Sequence, residues 1–208
     1  EEDIHEALKR TALARKVTPV LAGSALKNAG VQPLLDAVGR YLPSPLDVPA
    51  PHGTTVDGSR ECVLDVSPEA PFCGLVFKVL MEGGRKTSLV RIYAGHLKDG
   101  DTVRNTALNK DERVTRLFRM DADQQEQLSE AYSGDIIAVL GLRHARTGDT
   151  VAAPGLDILL EHLEAVKPVI SMALEPRNAG EGKTLQEALA RYSAEGPTLG
   201  GSQDEGSR

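Results

Sequence analysis

Pro43, Pro45, Pro49 and Pro51 fall within ten residues of one another. No helix or interior strand runs through such a stretch, because each ring fixes φ and removes a backbone donor. The chain therefore has two parts that fold by different rules. Before the prolines apolar residues recur at helical spacing, and beyond them they alternate. The boundary is expected in this stiff segment, with residues 1–44 on one side, a linker at 45–58, a β-rich domain at 59–156 and a final part at 157–208.

Upstream, Ile4, Ala7, Leu8, Ala12 and Leu13 mark a helix over residues 1–14. Thr18-Pro19-Val20-Leu21-Ala22 is an apolar run suited to a buried strand, followed by the polar loop Gly23 to Gly30. Val31, Leu34, Leu35, Val38 and Leu42 predict a second amphipathic helix. Helix, strand, loop and helix in that order are α/β in character, without the other strands of a sheet.

Downstream, Leu75, Phe77 and Val79 alternate with Val76, Lys78 and Leu80, and strand patterns continue to about Val151. Turn signals recur at Gly83-Gly84, Gly95 and Asp99-Gly100. Gly-Asp leads straight into a β-branched run three times, at Thr102-Val103, Ile136-Ile137 and Thr150-Val151. Short strands at this spacing predict a closed antiparallel barrel, with Asp123 to Tyr132 as a helical turn or loop crossing it. Asp157 to Val166 reads as a short connecting helix, Val169 to Leu174 as a strand and Thr184 to Tyr192 as a helix. The Gly- and Ser-rich tail from Gly196 to Arg208 has nothing to bury.

The 208 residues carry a net charge of -6, which argues against a chain coated for nonspecific nucleic-acid binding. No apolar run approaches the roughly 20 residues of a membrane span. The start at Glu1-Glu2-Asp3 has no initiator Met and no signal-peptide pattern, and reads as cut. Cys62 and Cys73 are the two cysteines, too few for a disulfide framework and not at metal-ligand spacing, which fits a reducing cytoplasm.

Two motifs look chemical and read better as structure. Gly182-Lys183-Thr184 ends like a phosphate loop, but Arg177 stands where the first glycine belongs, so Thr184 and Glu187 are expected to form a capping box. Asn109-Lys110-Asp111-Glu112 approaches a guanine-reading motif but has Glu in its last position, and a solvated hairpin turn is expected. No catalytic residue and no metal site are expected: nucleophile elbows and paired metal spacings are absent, and the histidines are scattered. The remaining positive signal is Lys110, Arg113, Arg116 and Arg119, a basic strand face suited to a phosphate backbone or, equally, to solvent.

The run from Thr18 through Ser24-Ala25-Leu26-Lys27-Asn28, with Gly30-Val31-Gln32-Pro33-Leu34-Leu35-Asp36-Ala37-Val38 and Tyr41-Leu42-Pro43-Ser44-Pro45, closely resembles the end of the GTPase domain in the elongation factor G family of translational GTPases. Arg91-Ile92-Tyr93-Ala94-Gly95-His96-Leu97-Lys98-Asp99-Gly100, Arg116-Leu117-Phe118-Arg119-Met120 and Thr147-Gly148-Asp149-Thr150 resemble its second, β-barrel domain. Lys167-Pro168-Val169-Ile170 and Leu185-Gln186-Glu187-Ala188-Leu189-Ala190 resemble the start of its third, so the likeness covers nearly the whole chain.

The resemblance implies a mainly β fold with flanking α/β pieces: a closed translation-factor barrel between the C-terminal end of a P-loop GTPase domain and a partial α+β third domain. It implies that Ser24, Ala25, Leu26 and Lys27 form the guanine-contacting loop of a full-length protein that uses GTP or GDP with Mg. The phosphate loop, the switches and the principal guanine-reading motif would precede Glu1, so this stretch alone is expected to hold no nucleotide and to be inactive. The implied partners are the ribosome, through small-subunit RNA and ribosomal proteins, with no membrane or DNA, and the implied role is translocation of tRNA and mRNA in the cytoplasm. Arg85-Lys86-Thr87-Ser88 and Glu195-Gly196-Pro197-Thr198 depart from the family's pattern. They leave open a ribosomal-protection or recycling paralogue, and the residues alone also admit a stand-alone, nonenzymatic ribosome-binding barrel.

Overall fold

The computed structural model describes residues 2–82, 84–122, 124–160, 170, 172–176 and 178–195. The chain divides into two compact units, Glu1–Ala50 and Pro51–Arg208.

In the first unit, helices α1 (Glu2–Leu13) and α2 (Val31–Tyr41) form where the apolar spacing predicts them. His5 Nδ1 meets the Tyr41 hydroxyl at 2.5 Å, and Lys9 pairs with Asp47 at 3.3 Å. Residues 18–22 are not a strand, and Val20 is 91% exposed. A strand needs a neighbour to take its backbone groups, and no strand stands among the described residues of this unit.

The second unit is mainly β. Its strands are β1 (His52–Thr54), β2 (Glu61–Val63), β3 (Cys73–Glu82), β4 (Arg85–Ala94), β5 (His96–Lys98), β6 (Thr102–Asn105), β7 (Lys110–Arg113), β8 (Arg116–Asp121), β9 (Gln124–Leu128), β10 (Glu130–Tyr132), β11 (Ile136–Leu140) and β12 (Thr150–Ala152). Eight form one antiparallel sheet in the order β7-β6-β12-β3-β4-β11-β8-β9, and β5 pairs with β10 separately. The ladders among the described residues thus leave two ends, where the sequence predicts a closed barrel. Of residues 123–132, expected as a helical turn or loop, residue 123 lies outside the described residues and 124–132 instead supply β9 and β10. β9 is a solvent-exposed edge strand, so no burial alternation marked it in the sequence.

The recurrent Gly-Asp pairs build one turn three times. Gly100, Gly134 and Gly148 have φ of 88°, 98° and 95°, a region open to glycine at little cost. Asp101, Asp135 and Asp149 each accept, through Oδ2, the amide three residues earlier, at Lys98, Tyr132 and Arg146, over 2.8, 2.9 and 2.8 Å.

The sheet buries both faces. One core gathers Val76, Val79, Val90, Ile92, Leu117 and Val139; a second gathers Leu64, Cys73, Ala94, Ala152, Ile158 and Leu160. A register irregularity between Val76 and Lys78 puts Val76 and Val79, three apart, in the same core, so strict alternation fails there. Burial pushes the Cys73 thiol up to about 12.

The stretch read as linker carries β1, which pairs with β2 and bridges Thr54 to Leu159. Asp57 closes this hairpin, accepting Thr55 Oγ1 at 2.5 Å and both the amide and hydroxyl of Ser59; these bonds hold its carboxyl down at about 2. Residues 157–160 are extended rather than helical, because Leu159 bonds to Thr54 and the Leu160 amide to the Thr150 hydroxyl. The rest of that expected helix, 161–166, and the tail, 196–208, lie outside the described residues. Of the strand expected over 169–174, residues 169 and 171 also lie outside them, and Ile170 and 172–174 take no strand pairing. Helix α3 (Gly182–Glu195) begins before Thr184, which stands in its first turn and not at a cap. Asn178, ahead of the helix, donates instead to Glu181 at 3.3 Å.

Candidate guanine loop and candidate RNA interface

Residues 24–29 form a closed loop. The Ser24 amide donates to the Ala29 carbonyl at 2.8 Å and the Ala29 amide returns to Ser24 at 3.0 Å. Ala25–Lys27 is a 3₁₀ turn, ended by Asn28 at φ 48°. Its bonds use the amides of Lys27 and Asn28, so those of Ala25 and Leu26 have no partner inside the turn, as at any helix start. Leu26 is 97% exposed. The loop of Ser24, Ala25, Leu26 and Lys27 can present two donors to an acceptor edge. The Lys27 ammonium makes no ion pair among the described residues.

The four basic residues of the predicted face are all exposed but differ in their surroundings. Lys110 opposes Asn105 beside an ion pair in which Arg104 grips Asp111 through Nε at 2.6 Å and Nη2 at 3.1 Å; that grip lowers the Asp111 pKa. Arg119 is neutralised by Glu126 on β9 at 3.1 Å. The guanidinium groups of Arg113 and Arg116 make no hydrogen bond or ion pair among the described residues. They flank Val114 and Thr115, where the chain changes partners: the Val114 amide bonds to Asp101 and that of Thr115 to Leu140.

Glu112, expected in a solvated turn, is 6% exposed. The turn lies just before it, where Asn109 has φ 51°. One carboxylate oxygen, Oε2, accepts the His144 amide at 2.8 Å, and Oε1 has no partner. Half-buried Lys86 donates to the carbonyls of Arg143, at 2.9 Å, and Ala145. Burial lowers its pKa, with Glu112 and Asp149 opposing that shift. These contacts hold residues 141–149, of which the sequence had marked only the end, Thr147-Gly148-Asp149.

A family model described as "Elongation factor Tu domain 2" matches residues 86–152. Over 199 residues the chain is 45% identical to "Elongation factor G 1" of Geobacter sulfurreducens, covering 96% of this chain and 29% of that protein. Along nearly its whole length the chain is similar to elongation factor G. "Elongation factor G 2" of Geobacter metallireducens is 41% identical over 98% of the chain, and that of Syntrophus aciditrophicus 42% identical over 99%, each match covering 30% of the relative. The chain thus spans about 30% of the elongation factor G proteins it matches. A crystal structure of a Thermus thermophilus protein superposes with a TM-score of 0.69 over 98% of this chain and 28% of its own, at 22% identity, a likeness of fold. The eight-stranded sheet is accordingly a translation-factor second-domain fold. No helix among the described residues is long and apolar enough to cross a membrane.

Proposed function

We propose that this chain is the middle part of a ribosome-dependent translational GTPase of the cytoplasm that promotes movement of tRNA and mRNA during elongation. The observation that carries the reading is identity of 41–45% to elongation factor G proteins along nearly the whole chain. Residues 1–44 would be the C-terminal end of its GTP-binding domain and 157–208 the start of a third. Ser24–Lys27 would meet guanine when the full-length protein holds GTP or GDP with Mg. The free amides of Ala25 and Leu26 suit that role.

The domain between them would act as a barrel closed through residues 110–121. β7 pairs with β6 and its direct continuation β8 pairs with β11, so one segment can join both sides of the sheet. This barrel would dock on small-subunit ribosomal RNA through Arg113 and Arg116, the two free arginines of the predicted face. In the full-length protein, Arg113→Glu with Arg116→Glu weakens binding to purified small ribosomal subunits and makes its salt dependence shallower by about 2. Unchanged binding would remove the RNA assignment.

A further inference from the structure

We propose that the loop 141–149 is a second RNA-contacting element, in which Arg143 and Arg146 take backbone phosphates and Lys86 and Glu112 are the positioning residues. This rests on the reading of the domain as an RNA-docking module and adds to it a surface that lies far along the sequence from the basic strand.

The loop faces two ways. Leu142 and Ala145 are buried, while Arg143, His144 and Arg146 are exposed. Three side chains hold the loop by its backbone: the Lys86 ammonium donates to the carbonyls of Arg143 and Ala145, Glu112 accepts the His144 amide, and Asp149 accepts the Arg146 amide. Asp149 is itself held by Asn105 Nδ2 at 2.7 Å, and Asn105 is fully buried. The negative ends of two carbonyl dipoles are thereby turned to an interior cation. The guanidinium groups, which make no hydrogen bond or ion pair among the described residues, remain on the outside.

The loop also abuts the predicted face. Arg116 is the register partner of Leu140, and a Cβ on Gly141, whose φ is 108°, would sit 2.1 Å from the Arg113 carbonyl. Residues 140–141, which lead into the loop of Arg143 and Arg146, therefore lie against the backbone of Arg113 and Arg116, in a chain whose net charge is -6. The loop exposes cations on a fixed backbone, while its apolar residues Leu142 and Ala145 are buried. A protein interface needs a desolvated anchor at its centre, whereas a phosphate backbone needs cations held in register.

The test measures binding of the 208-residue chain to purified small ribosomal subunits between about 50 and about 200 mM KCl, the range over which phosphate contacts lose most affinity. Arg143→Gln with Arg146→Gln is expected to make the slope of log affinity against log salt shallower by about 1 for each arginine. Lys86→Met leaves the exposed cations in place. It is expected to weaken binding less and to speed amide exchange at His144 and Arg146 without changing that of β3 and β4. An unchanged slope in the arginine pair, with a shallower one for Arg113→Gln with Arg116→Gln, overturns this inference and leaves the docking reading intact. No change in either pair overturns both. Weaker binding at constant slope would assign the arginines to a protein partner and also overturn it.

Discussion

The two units treat their apolar residues differently. Between Glu2 and Ala50 only Ala37 is buried, and Leu35 on the amphipathic helix α2 remains 65% exposed. Beyond Pro51 the sheet closes over Ile92, Leu117, Ile137 and Val139, each at most 2% exposed. A helical stripe marks the side that wants cover and does not supply it. A sheet whose strands pair with one another, with core on both faces, supplies its own. The second unit therefore holds its fold from within, while the first depends on whatever covers its helices.

The sharpest way to break that comparison is to truncate one side chain in each unit. Leu117→Ala is expected to cost about 3 kcal/mol, the usual range for an aliphatic core position. Leu35→Ala is expected to stay within about 0.5 kcal/mol. Urea denaturation followed by circular dichroism checks both, and equal costs would abolish the distinction. A second contrast uses one substitution with opposite signs. Gly148→Ala must hold φ 95° and is expected to cost about 1–2 kcal/mol. Gly39, within α2, has nothing within 4 Å of an added Cβ, so Gly39→Ala is expected to stabilise by about 0.5–1 kcal/mol. Thermal melts of the two variants decide it.

The smallest effect is acid-linked and belongs to the β1–β2 hairpin. The Asp57 pKa is about 2 in the fold against an ordinary 3.8, so its contribution is present above pH 3.8 and is lost as pH falls through about 2. In Asp57→Asn that increment of the acid unfolding slope should vanish. Persistence of the full slope would show that Asp57 does not tie the hairpin down.

Much of the architecture was legible. The helices over 2–13 and 31–41 follow apolar spacing, and the three Gly-Asp turns follow a backbone need that only a few residues meet. What was hidden had physical reasons. β9 is an edge strand with no buried face to alternate against. The irregularity at Val76 shifts parity without a glycine or proline to announce it. Thr18–Ala22 has strand composition, but composition cannot show whether a neighbouring strand is present. In the candidate interface, the cations at 110, 113, 116 and 119 were visible, but Glu126, which neutralises Arg119, is reached only through strand pairing. Beyond its Gly148-Asp149 turn, the way the loop at 141–149 is held was invisible, because Lys86 and Glu112 lie 57 and 32 residues away from their bonding partners.

Amide hydrogen exchange across the whole 208-residue chain tests the central comparison most directly. The account predicts slow, cooperative exchange for β3, β4 and β11, and exchange near the unprotected rate for residues 18–23. Equal protection of the two units would contradict it, since residues 2–50 would then be holding a fold that their own burial does not supply.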